Sequence, residues 1–142
     1  LSIRVVIDTN VVVSALLRPG GFPEAVFTLA IAGEVRLFVS VPILEEYEEV
    51  LRRPRLKLDS EKIASALRAI GAAATEVRPE SRVTAALDPD DNIFLECAES
   101  AMAHFLVTGN VKDYPVTWMG TRVTTPRLFL ETITAPNPTL PN

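Results

Sequence analysis

The sequence predicts an α/β fold: a mainly parallel sheet layered between helices. Three observations predict it. Apolar, β-branched runs alternate with segments of helical periodicity along all 142 residues, the pattern of βαβ units. The hydrophobic share of 48% is high enough for a sheet buried on both faces. Several runs stop abruptly at a polar residue, at the carboxyl ends where ligands bind in parallel sheets. The length fits one domain, residues 1–134, followed by a tail.

Ile3–Ile7 is the first strand, and a helix follows from Val11 to Leu17. Arg18-Pro19-Gly20-Gly21 reads as a turn. Pro23 suits the first position of a helix to Ala32, with Gly33 beyond its end. Val35–Ser40 is a second buried strand. Pro42 opens a helix to Arg53, which Pro54 ends. Ser60 caps a helix from Glu61 to Ile70, with Gly71 as its stop, and Thr75–Arg78 is a short strand. Asp88-Pro89 pairs a cap residue with a first-turn proline, and that helix runs to Ala103. His104–Thr108 and Arg122–Thr124 complete the sheet, and Pro126 opens a closing helix to Ile133. Residues 135–142 hold three prolines and no charge, and read as a disordered tail.

A net charge of −4 argues against nucleic-acid binding by bulk charge, though not against a nuclease with a local basic rim. The lone Cys97 excludes an intrachain disulfide and suits a reducing compartment, so a cytoplasmic protein is expected. One His and one Cys cannot build an ordinary zinc site. No apolar run approaches the ~20 residues of a membrane span, and no signal peptide is recognisable.

The candidate chemistry lies in the acids. Asp8 ends the run Ile3-Arg4-Val5-Val6-Ile7, where a carboxylate is costly without a partner. It either caps the next helix or serves a site, with Asn10 as the alternative cap. In Glu45-Glu46-Tyr47-Glu48-Glu49, Glu45 and Glu49 point away from the apolar face. Glu46, early in its helix, is the better site candidate, against a plain solvated acidic face. Asp88 is explained by capping, whereas Asp90 and Asp91 both lean toward the core side of their helix. Thr108 and Asn110 can hydrogen-bond at the next strand end, and Asp113 lies one turn further on. Converging carboxylates repel unless a cation neutralises them, and oxygen ligands suit Mg²⁺ or Mn²⁺. The chemistry such a site supports is metal-assisted phosphodiester hydrolysis.

The order of these residues resembles the PIN-domain family of nucleases. The matching stretches are Val6-Ile7-Asp8-Thr9-Asn10-Val11, Leu44-Glu45-Glu46-Tyr47, Asp91-Asn92-Ile93-Phe94-Leu95-Glu96-Cys97-Ala98 and Leu106-Val107-Thr108-Gly109-Asn110. The resemblance spans residues 3–133 and implies a three-layer α/β/α sandwich with a central, mainly parallel sheet. It is strongest to the VapC-like toxins of toxin–antitoxin pairs. That implies a Mg²⁺- or Mn²⁺-dependent endoribonuclease, dimeric, with RNA as substrate and an antitoxin protein as partner. Asp8, Glu46 and Asp91 carry over as catalytic metal ligands, with Asp90 a near neighbour. Asn110 and Asp113 stand at the further metal position, and Thr9, Asn10, Thr108 and Lys112 as supporting or substrate residues. The chain departs from the family at Asn110, where many members have Asp. An amide ligates only through its neutral oxygen.

Among substrate contacts, Lys112 is expected to meet phosphate, with Arg18 and Arg122 nearby. Tyr114 and Trp118 are candidates to stack a base. The run Arg52-Arg53-Pro54-Arg55-Leu56-Lys57 reads first as a helix end paired with Glu48 and Glu49, and second as a phosphate track. Cys97 reads as an inert buried thiol. A phosphotransferase with Asp8 as nucleophile would want a second Asp where Asn10 stands. A GTPase-like reading lacks a phosphate loop with Lys. The remaining rival is a PIN-fold binding module with weak or no catalysis.

Overall fold

The computed structural model describes residues 2–141; Leu1 and Asn142, the outer ends of the expected domain and tail, lie outside the described residues. Six strands form one sheet: β1 (Arg4–Ile7), β2 (Arg36–Val39), β3 (Thr75–Glu76), β4 (Phe105–Val107), β5 (Thr117–Trp118) and β6 (Thr121–Thr124). Their order is β3-β2-β1-β4-β6-β5. Every neighbouring pair is parallel except β5 with β6. Six helices cover the sheet in a three-layer α/β/α arrangement: α1 (Thr9–Leu17), α2 (Phe22–Ile31), α3 (Val41–Leu51), α4 (Ser60–Ala73), α5 (Asn92–Ala101) and α6 (Pro126–Thr134).

Val5, Val6 and Ile7 of β1 and Phe105, Leu106 and Val107 of β4 are all buried, as a doubly covered sheet requires. Phe129 of α6 meets Phe105 edge to face, with ring centroids 5.2 Å apart. The chain winds outward from β1 through β2 to β3, then returns to place β4 on the other side of β1. The seam between β1 and β4 is therefore the topological switch point, where a crevice opens at the carboxyl ends. Asp8 follows β1 and Thr108 follows β4, so both stand at that seam. The Asp8 N–H donates to the Val107 carbonyl across it (2.9 Å).

Some boundaries differ from the sequence reading. Helix α4 runs through Gly71 to Ala73, because one exposed glycine costs only ~1 kcal/mol among good helix formers. Asp88 does not cap a helix reaching Ala103. Its carboxylate accepts the Asp90 N–H (3.0 Å) and tightens Pro89–Asp91 into a 3-10 turn; α5 starts only at Asn92 and ends at Ala101. Strand β5 was not expected. It forms a hairpin with β6 through Met119 and Gly120, both at positive φ (48° and 87°), the requirement of a tight two-residue turn. Residues 135–141 carry no helix or strand, and Leu140 packs against the core edge.

Candidate active site

Asp8 occupies the position before α1 with extended backbone, yet its side chain makes no capping bond. Asn10 does not cap either, since α1 already begins at Thr9. The Asp8 carboxylate is instead held from three directions. Its Oδ2 accepts Thr108 Oγ1 (2.8 Å), Tyr114 Oη (2.9 Å) and Asn10 Nδ2 (3.3 Å). Asp8 is only 5% exposed. Burial pushes its pKa up; the bonds from Thr108, Tyr114 and the Thr9 and Asn10 amides pull the other way without cancelling it.

Glu46 arrives by a separate route. Ser40 Oγ accepts the Ile43 N–H and starts α3. One residue past Glu46, the buried Tyr47 hydroxyl donates to the Ile7 carbonyl and ties α3 to the end of β1. This brings Glu46 against α1, where it accepts a short hydrogen bond from Thr9 Oγ1. Half-burial raises the Glu46 pKa, and Asp8, Asp90 and Glu49 add to the rise.

Asp91 stands at the start of α5, also with no capping bond. Asn92 fixes its position: Oδ1 accepts the Ala86 N–H (2.9 Å) and Nδ2 donates to the Pro89 carbonyl (3.1 Å). Desolvation and then the charges of Asp8, Asp88, Glu46 and Asp113 push the Asp91 pKa up to about 7. Asp90 is exposed at the rim, so the expected lean toward the core holds for Asp91 and not for its neighbour.

These acids line one open cleft of about 510 Å³, together with Asp88, Asp90, Asn110 and Asp113. Thr108 is buried behind Asp8, and its Oγ1 accepts the Asn110 N–H (3.0 Å), which positions that residue at the cleft. Arg18, Arg53 and Arg55 line the same cleft. Arg52 and Arg53 pair with Glu48 and Glu49 as expected, at 3.0 and 2.9 Å. Yet Arg53 and Arg55 also face the cleft, so the basic run serves both ends.

Other expected contacts lie elsewhere. Lys112 is exposed and is not among the cleft-lining residues. Arg122 sits over the Phe105 ring at 5.9 Å, at the amino end of the strands, because β6 pairs it with the first residue of β4. Tyr114 is buried on Asp8 and offers no surface to stack a base. Trp118 is half-buried on β5 and donates from Nε1 to Glu99 (3.1 Å). Cys97 is buried, with its thiol pushed up to about 12, as expected of an inert residue. The residue that sequence reasoning missed is Tyr114 as a partner of Asp8. Its only local signal was an aromatic just after a polar strand end.

The donor set of the cleft is all oxygen and strongly negative, which fits a hard divalent cation. Burial raises the pKa of Asp8, Glu46 and Asp91, and repulsion from neighbouring acids adds to the rise at Glu46 and Asp91; a divalent charge would oppose both. As the side chains stand, no three acids, histidines or cysteines among the described residues converge closely enough to share one ion. Holding one requires side-chain rotation toward a common point.

A switch-point crevice lined by carboxylates on a mainly parallel sheet defines a class: α/β domains that bring acids to the carboxyl edge. The chain matches the PIN domain family model over residues 4–112 and belongs to that family. It is 28% identical over 143 residues to the uncharacterised protein MJ1680 of Methanocaldococcus jannaschii, with 92% of each chain covered. Its fold is similar to that in the crystal structure of Rickettsia felis VapBC2 bound to a DNA fragment from their promoter. The TM-score is 0.56 at 15% identity, covering 85% of this chain and 98% of that one.

Proposed function

We propose that the protein is a Mg²⁺- or Mn²⁺-dependent endoribonuclease, the VapC-like toxin of a toxin–antitoxin pair. The observation that carries this reading is Asp8: a buried carboxylate at a helix start that caps nothing and is held by three donors toward a cleft of further acids. Membership of the PIN family supports hydrolysis of nucleic acid, and the fold shared with VapBC2 supports an antitoxin partner. A homodimer and a cytoplasmic location belong to the same reading. Among the described residues no helix is long and apolar enough to cross a membrane.

Asp8, Glu46 and Asp91 would hold the cation, with Asp113 and the amide oxygen of Asn110 at its far side. When bound, the ion supplies a water of lowered pKa and positive charge for the phosphate oxygens. The chain's own part is orientation. Tyr114 and Thr108 favour the ionised form of Asp8 and, with Asn10, aim it, and Thr9 fixes Glu46. Arg18, Arg53 and Arg55, which line the same cleft, supply phosphate contacts.

The test is cleavage of a mixed RNA set with and without Mn²⁺ or Mg²⁺, beside Asp8→Asn. Metal-dependent cleavage that vanishes in the variant supports the reading, and equal cleavage by the variant sinks it. A second reading, a PIN-fold binding module with weak or no catalysis, draws on the neutral Asn110 and on the acids not converging on one point. Folded, metal-supplied protein that binds RNA without cutting it would favour that reading.

A further inference from the structure

A second groove, of about 390 Å³, runs beside the acidic cleft between the start of α2 and the start of α6. The two depressions share wall residues Asn10, Ser14 and Asn110. Asn10 holds that wall: its Nδ2 bonds Asp8 and Thr108, and its Oδ1 accepts the Gly109 N–H (2.9 Å). The cleft and the groove are therefore contiguous across this wall.

The groove differs from the cleft in chemistry. No carboxylate lines it, and its one charge is Arg127. Its apolar side is Phe22, 54% exposed, whose ring stacks on no other ring among the described residues. Pro23 and Pro126 stiffen the walls. Arg127 is held only by an exposed pair with Glu131 (3.2 Å), a contact readily exchanged for phosphate. An exposed aromatic face in one groove with a guanidinium held by a single exposed ion pair is the combination that takes an unpaired base and its phosphate.

We propose, resting on the ribonuclease reading, that this groove seats the nucleotide next to the scissile phosphate of a single-stranded RNA. Phe22 is its stacking platform and Arg127 its phosphate contact. The substrate must then be unpaired at that position, since a base within a duplex cannot reach Phe22.

Two measurements test the proposal. The first is binding, in EDTA, of an unpaired RNA octamer to the Trp118→Phe/Phe22→Trp double variant, whose one tryptophan sits in the groove. Saturable quenching is expected, lost when the octamer is annealed to its complement; no quenching overturns the proposal. The second is steady-state cleavage by Phe22→Ala and Arg127→Gln. Each should raise KM about tenfold with a much smaller change in kcat, and Phe22→Trp should restore KM. A parent-like KM in both variants, with Asp8→Asn still inactive, overturns the groove and leaves the nuclease reading intact. Quenching by the octamer in the double variant, alongside a parent that never cleaves RNA, supports the groove and removes the nuclease reading.

Discussion

Asp8 and Tyr114 together show what a single buried hydroxyl contributes. Tyr114→Phe removes one of three side-chain donors to the carboxylate, so the already raised pKa of Asp8 rises further. Since the site needs Asp8 ionised, the acidic limb of the pH–rate profile is expected to move to higher pH, with kcat down roughly tenfold near neutrality. A profile superposable on the parent's would remove Tyr114 from its positioning role. The acids also link metal, proton and stability. Asp8, Glu46 and Asp91 have folded values raised above their unfolded ones, Asp91 to about 7. The folded chain therefore holds more protons than the unfolded one across that window, and without metal its stability falls as pH rises from about 4 toward 7. On the proposed reading, a divalent ion replaces those protons. The gain in Tm on adding Mg²⁺ is expected to be small near pH 5 and larger near pH 8, as thermal scans at the two values would read.

At the scale of elements, the start of α5 sets how deeply each of two adjacent acids sits in the cleft. The sequence offers Asp90 and Asp91 on nearly equal terms, since both suit a helix start. The 3-10 turn over Pro89–Asp91 leaves Asp90 exposed on the cleft wall and Asp91 half-buried, and Asn92 pins the turn to Ala86. Asn92→Ala is expected to cost ~1–3 kcal/mol by chemical denaturation, because it strands a half-buried backbone N–H, and to weaken metal binding by misplacing Asp91. Asp90→Asn should leave stability and metal affinity near the parent's. If Asp90→Asn proves the more damaging for metal, the two roles must be exchanged. The helix periodicity around Glu46 was legible because its apolar neighbours sit at regular spacing. The 3-10 turn was not, because it rests on a side-chain bond across two residues that overrides helical spacing.

At the scale of the molecule, charge is divided rather than bulk. With a net charge of −4, attraction for a polyanion must come from local arginines and a bound cation. Three cleft arginines, Arg18, Arg53 and Arg55, predict a shallow salt dependence of single-stranded RNA binding. With Arg127 of the neighbouring groove as a fourth contact, the slope of log K against log salt should be about −3. Arg55→Glu should flatten that slope, whereas Lys112→Glu, outside the cleft, should change it little. Fluorescence anisotropy across a salt series would read both, and a larger effect from Lys112 would relocate the RNA path.

The sequence by itself determined the α/β class, the parallel sheet and the carboxyl edge on which a site would form. Buried β-branched runs, helical spacing and capping residues are local signals, and Val5-Val6-Ile7-Asp8 carries one in four residues. It also nominated Asp8, Glu46 and Asp91, because a carboxylate at a strand end or helix start is conspicuous in a chain. Only the tertiary structure decided what Asp8 does. Whether it caps a helix or faces a cleft depends on Thr108 and Tyr114, about a hundred positions away. Only the tertiary structure moved Arg53 and Arg55 to the cleft and Lys112 and Arg122 away from it. A side chain's partners across a sheet follow from strand order and register, and the switch between β1 and β4 sets both through contacts that no local window contains.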